Sequence, residues 1–168
     1  ILAKAGVTTA PTVRLLYAST NTRRQQQFQL IKEAAEQAGF KVEDKSAEKW
    51  GSILPDTSKY DAALFGWQST SVAVGESDAN YRTKAQNNYY GYSNAEVDKL
   101  FDELLVTTEA AKQTEILGKI EKLLVDDAFG TTIFQFPEIT TNSSKIKNVS
   151  SIALSPNFFW NAWQWEIA

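Results

Sequence analysis

An α/β domain, α+β in its helical second half and layered around a mixed sheet, is the fold class that three features of the 168-residue sequence predict. These are a strand–helix–strand succession over 13–43, an apolar run of strand length at 60–66, and two adjacent amphipathic helices between 94 and 124. With 43% hydrophobic and 22% charged residues, the chain has the make-up of one globular domain able to bury a core.

Val13 to Ala18 is β-branched, aliphatic and aromatic, and it ends at the polar turn Ser19-Thr20-Asn21-Thr22, which reads as a strand running into a helix start. Phe28, Ile31, Ala35 and Ala38 recur at helical spacing before Gly39, which sits where a left-handed helix terminus belongs. Phe40 to Glu43 alternates apolar and polar and predicts a second, half-buried strand. A short helix over 46–54 packs Trp50 and stops before Pro55. The run Tyr60 to Gly66 predicts a third strand, placed centrally in the sheet. Ser93-Asn94-Ala95-Glu96 has capping-box spacing ahead of the stripe Val97, Leu100, Phe101, Leu104 and Leu105. A second stripe, Ile116, Leu117, Ile120, Leu123 and Leu124, completes an antiparallel helix pair. Phe129 to Phe136 predicts a further strand, and an aromatic tail with Phe158, Phe159, Trp160, Trp163 and Trp165 follows.

Composition removes several chemistries. The sequence holds no histidine, so Ser-His and Cys-His nucleophile systems and the commonest transition-metal ligand are absent. It holds no cysteine, hence no disulfide and no thiolate. A net charge of −3 with scattered basic residues gives no field for a polyphosphate, so no nucleic-acid partner is expected. The acidic groups at Asp126-Asp127 and Glu76-Ser77-Asp78 lack metal-ligand spacing and read as helix-end solvation or capping. No catalytic residue, metal site or cofactor is predicted, and the protein is expected not to be an enzyme. With no methionine to start from at Ile1, the chain is expected to be part of a longer one.

The informative stretch is Phe65-Gly66-Trp67-Gln68-Ser69-Thr70-Ser71. It puts a large ring, an amide and three hydroxyls at the carboxyl end of a predicted buried strand, where open α/β sheets bind ligands. Trp67, Gln68, Ser69 and Thr70 are therefore the candidate ligand-binding residues, against the plainer reading of a turn with Trp67 tucked into the core. The irregular, Ser/Asn/Tyr-rich stretch 67–92 around them has the length and composition of a functional loop.

Three stretches resemble the peptide-type (family 5) extracytoplasmic solute-binding proteins of ABC transporters. They are Val13 to Tyr17 with Asn21 to Arg24 and the helix to Val42; Tyr60 to Trp67; and Gly91-Tyr92-Ser93-Asn94-Ala95-Glu96-Val97-Asp98-Lys99-Leu100, the most specific. The resemblance implies a lobe of the periplasmic-binding-protein-like fold of type II, with 1–137 the second ligand-binding lobe and 138–168 a segment returning toward a first lobe. It implies hinged closure on a small molecule or peptide, delivery to an ABC permease in the membrane, and an extracytoplasmic place, in the periplasm or lipid-anchored at the cell surface. Peptide-binding members carry an aspartate three positions beyond the tryptophan, facing the peptide's ammonium group. Here that position is Thr70, so Glu76 or Asp78 is expected to stand in. The aromatic tail is expected to fold onto the chain's own sheet or to be shared in a homodimer. The alternative reading is a stand-alone extracellular glycan-binding or protein-interaction module using that tail. A carbohydrate hydrolase ranks third, for want of a carboxylate pair.

Overall fold

A computed structural model describes residues 2–68, 74–137, 139–152 and 159–168, and the chain divides into two compact units, Ile1–Gly66 and Trp67–Ala168. In the first, strand β1 (Thr12–Leu16) leads into helix α1 (Thr22–Gln37), which returns to strand β2 (Lys41–Asp44). A one-turn helix α2 (Trp50–Ile53) precedes the two-residue strand β3 (Ala62–Ala63). The three strands form a parallel sheet in the order β2-β1-β3, with Val13 opposite Val42 and Leu16 opposite Ala63. The central strand is thus β1, and the 60–66 run, expected in the middle, supplies an edge strand of the described sheet. The βα connection explains this, because a single crossover through α1 places β2 on one side of β1 and leaves the other side for β3.

Helix α1 starts where the sequence places its cap: the Asn21 side chain accepts the Arg24 amide at 3.1 Å. It ends on Gly39 at φ +92°, a conformation that costs a residue with a Cβ, and the Phe40 amide closes the last turn onto the Ala35 carbonyl. Its Phe28 packs into a cluster with Leu15, Tyr17, Val42 and Leu64, and stacks on Tyr17 at 5.2 Å. Leu15 and Tyr17 lie on one face of β1, while Leu16, on the other face, is also fully buried. Burial on both faces is the pattern of an interior parallel strand.

Arg14 fixes the pairing of β1 with the chain entering β3. Its guanidinium donates to both oxygens of Asp61 at 3.0 and 2.7 Å, and its amide donates to the same carboxylate at 2.8 Å. These hydrogen bonds hold the Asp61 carboxyl down from 3.8 to about 2. A depressed carboxyl contributes stability that is complete above its unfolded value near pH 4 and is lost as pH falls through 2. Two pH units correspond to at most about 2.5 kcal/mol, and the solvent exposure of the pair reduces this to about 1 kcal/mol. Acid titration of stability should therefore show a downward slope between pH 4 and 2 that Asp61→Asn removes; equal slopes in both proteins would exclude this role.

In the second unit the one-turn helix α3 (Asp78–Tyr81) precedes the helical pair α4 (Ala95–Val106) and α5 (Ala110–Asp126). Their stripes meet, burying Val97, Leu100, Phe101, Leu104, Ile116 and Ile120, but Leu105, counted in the first stripe, is exposed because one further residue turns the helix past its buried face. The N-cap of α4 is Asn94 rather than Ser93: the Asn94 carbonyl oxygen accepts the Glu96 and Val97 amides, and the Ser93 hydroxyl pairs with Thr83. An asparagine one residue nearer the helix does the capping, so the box spacing marked the start one position early. Helix α5 ends on Ala128 at φ +54°, with the Phe129 amide on the Leu124 carbonyl and the Ala128 amide on that of Val125.

Beyond that cap, 129–137 carries no described strand, and Ile133, Phe134 and Phe136 are exposed. The β-forming residues are present, but no neighbouring strand among the described residues offers a ladder, and strand propensity without a partner makes no strand. Among the described residues, no strand of the tail pairs with the β2-β1-β3 sheet. Strands β4 (Ile146–Lys147) and β5 (Glu166–Ile167) pair with each other, antiparallel. Between them Asn161, a buried polar residue, donates to the Asn148 carbonyl at 2.7 Å and accepts the Trp165 indole N–H at 3.0 Å. The described tail thus satisfies its own polar groups, while Phe159 and Trp163 stay exposed.

Candidate ligand-binding site

Trp67 follows the strand β3 segment directly and is not a core residue: it is 41% exposed. Its indole stacks on the Tyr89 ring, with centroids 6.2 Å apart and planes 15° from parallel. Gln68 is exposed beside it. Ser69 and Thr70 lie outside the described residues. The neighbour that the structure adds to Trp67 is Tyr89, which sequence reasoning did not single out. Its only signal was membership of the polar, tyrosine-rich stretch 67–92, where no periodicity separates one residue from the next.

The loop from Arg82 to Tyr92 that carries Tyr89 is held by side-chain hydrogen bonds instead of a ladder. Arg82 donates to Asp78 at 2.5 Å, to Asp102 at 2.9 Å and to the Asp98 carbonyl at 3.2 Å, with its guanidinium 5.8 Å from the Phe101 ring centre. The Thr83 amide donates to the Asp98 carboxylate at 2.8 Å. Asn88 closes the loop: its amide group donates to the carbonyls of Arg82 and Tyr92 at 3.0 and 2.7 Å, and its oxygen accepts the Tyr92 amide at 3.0 Å. At the far end the Tyr92 hydroxyl donates to Asp127 at 2.6 Å. Burial and the adjacent carboxylate push the Tyr92 phenol up to about 12, and the same bond, with one from Asn94, lowers Asp127. Phe129 fills the space between Tyr81, Tyr90 and Tyr92, with ring centres 5.1 to 5.8 Å away.

Three of the acidic groups singled out in the sequence have partners within the fold. Asp78 is neutralised by Arg82, Asp126 pairs with Lys122, and Asp127 caps the tyrosine loop. Asp78 is thus engaged within the fold by Arg82. No group of three or more acidic side chains able to hold a metal occurs among the described residues. Open depressions of about 450 and 440 Å3 lie along α1, at Lys32 and Glu36, and around Arg14, Lys45 and Lys59. Their charged groups are engaged with one another or with close neighbours, Lys32 with Glu36, Lys45 with Glu43 and Lys59 with Asp56, and neither depression includes Trp67. No helix among the described residues is long and apolar enough to cross a membrane.

The same fold occurs in solved solute-binding proteins. NikA from Staphylococcus aureus, solved in complex with Ni(L-His)2, matches with a TM-score of 0.68 at 24% identity, over 76% of this chain and 28% of that one. The oligopeptide-binding protein AppA from Bacillus subtilis, solved in complex with a nonapeptide, matches with a TM-score of 0.69 at 16% identity, over 95% of this chain and 32% of that one. In sequence, an uncharacterized lipoprotein of Mycobacterium tuberculosis is 25% identical over 165 residues, 94% of this chain and 29% of its own length. The chain thus spans less than a third of these relatives. No protein-family model matches it. The likeness to the peptide- and nickel-type solute-binding proteins of ABC transporters holds at the level of the fold, that of a periplasmic-binding-protein-like lobe.

Proposed function

We propose that this chain is a ligand-binding lobe of an extracytoplasmic receptor that captures a small solute and presents it to an ABC permease, without chemical turnover. The observation that carries the reading is Trp67, exposed beyond the β3 segment instead of buried in the core and stacked on Tyr89, whose own loop is closed by the Asn88 side chain. A loop presenting one large ring beside polar side chains is a common construction of a binding site on an α/β scaffold. In this reading residues 1–137 form one jaw and 138–168 return toward a first lobe. Phe159 and Trp163, 64% and 75% exposed, are the surface we assign to that lobe, with a second copy of the chain as its competitor. Lipoprotein relatives support an anchored, extracytoplasmic receptor.

Trp67, Gln68, Ser69 and Thr70 are the proposed ligand contacts. With Thr70 at the position of the resembled family's aspartate and Asp78 bound to Arg82, recognition through a free peptide ammonium is disfavoured. The test is a thermal-shift panel of di- to nonapeptides, disaccharides and Ni(L-His)2 on the complete protein, followed by calorimetry on the strongest hit. Trp67→Ala should weaken that binding by about 1 to 3 kcal/mol, the range for an aromatic anchor. A panel without any shift sinks the receptor reading, and an unchanged affinity in a folded Trp67→Ala protein sinks the site.

A further inference from the structure

Tyr89, next to the residue that closes its own loop, carries an inference about ligand class. A tryptophan that serves only as an apolar wall needs no parallel ring behind it. Here the Tyr89 ring lies 15° from the plane of Trp67, and the loop from Arg82 to Tyr92 that carries it is closed by the three hydrogen bonds of Asn88. Tyr89 thereby backs the indole with a nearly parallel ring, while 41% of Trp67 remains accessible. An indole held in a set plane discriminates by shape: a flat conjugated ring stacks over its whole area, whereas a branched aliphatic group touches it at a few atoms. The charged groups beside the loop do not compete, because Asp78 and Asp102 are bound to Arg82.

We propose that Trp67, positioned by Tyr89 and through it by Asn88, is a stacking platform that selects ligands presenting a flat conjugated ring. Such a ring comes either from an aromatic side chain within a short peptide or from a free heteroaromatic molecule. The proposal rests on the solute-capture reading and adds the ligand class to it.

The test measures binding of Ala-Trp-Ala, Ala-Leu-Ala and N-acetyltryptophanamide to the complete protein by calorimetry. Ala-Trp-Ala should bind about 10-fold tighter than Ala-Leu-Ala, the ratio expected for one well-formed stack. Tyr89→Ala and Trp67→Ala should bring that ratio to within about 2-fold of unity, and Tyr89→Phe, which keeps the ring, should preserve it. Asn88→Asp, which keeps the acceptor and loses both donors, should lower the ratio with little change in the affinity for Ala-Leu-Ala, a pattern that general loosening of the fold does not produce. N-acetyltryptophanamide equal to Ala-Trp-Ala assigns the free ring as ligand, and a tripeptide at least about 10-fold tighter assigns the peptide; either supports the platform. A wild-type ratio near unity, a ratio untouched by Trp67→Ala and Tyr89→Ala, or no binding of any of the three probes overturns the platform. Solute capture falls separately, only if the wider panel also yields no ligand.

Discussion

Phe101→Ala is expected to lower the unfolding free energy by about 3 to 5 kcal/mol, the cost of removing a fully enclosed aromatic ring. Phe101 has no exposed surface, and it sits in the α4–α5 seam with Val97, Leu100, Leu104, Ile116 and Ile120. The cavity left behind is bounded by two helices whose connection, 107–109, is short, so the seam has little freedom to collapse. A second loss follows from the Arg82 guanidinium, which lies over that ring while holding Asp78 and Asp102. Set against a total stability of about 5 to 15 kcal/mol, the loss is large enough to bring the helical unit close to unfolding at room temperature. Urea denaturation followed by circular dichroism measures it. A loss below about 1 kcal/mol would mean that the seam is not packed at native density.

Leu16→Ala is the second large effect, about 2 to 5 kcal/mol. Leu16 is fully buried on β1, the strand with a neighbour on each side, and its carbonyl accepts the Leu64 amide at 2.8 Å. Alanine keeps that hydrogen bond and removes only the packing, so the measured change isolates the apolar contribution of the central strand. Leu30→Ala provides the contrast. Leu30 is 68% exposed on α1, and the same chemical change there should cost under about 0.5 kcal/mol. Similar losses at both positions would contradict the burial of β1 on both faces.

The legible parts of this molecule were those where one periodicity ruled a whole segment. Phe28 through Gly39, the stripe from Val97 to Leu104 and the stripe from Ile116 to Leu124 each became the helix their spacing predicted. Position within the sheet was not legible, because strand order depends on which side of β1 the crossover leaves open, and no single residue records that. The 129–136 segment failed for a related reason: strand formation is a property of a pair, and the partner lies nowhere in the segment's own residues. At the candidate site the ring of Trp67 was visible in the sequence, whereas its backing by Tyr89 was not. That pairing depends on Asn88 and Arg82 closing a loop through backbone carbonyls, which leave no trace in residue identity.

The run from Gly91 to Leu100 is the stretch by which the chain is most readily recognised, and its side chains are taken up by the fold. Asn94 caps α4 and holds Asp127, Val97 and Leu100 fill the seam, and Asp98 anchors Thr83. A signature made of scaffold residues is informative about ancestry and silent about diet. On the reading proposed above, one cargo would be exchanged for another by changes around Trp67 while the most recognisable letters stay untouched.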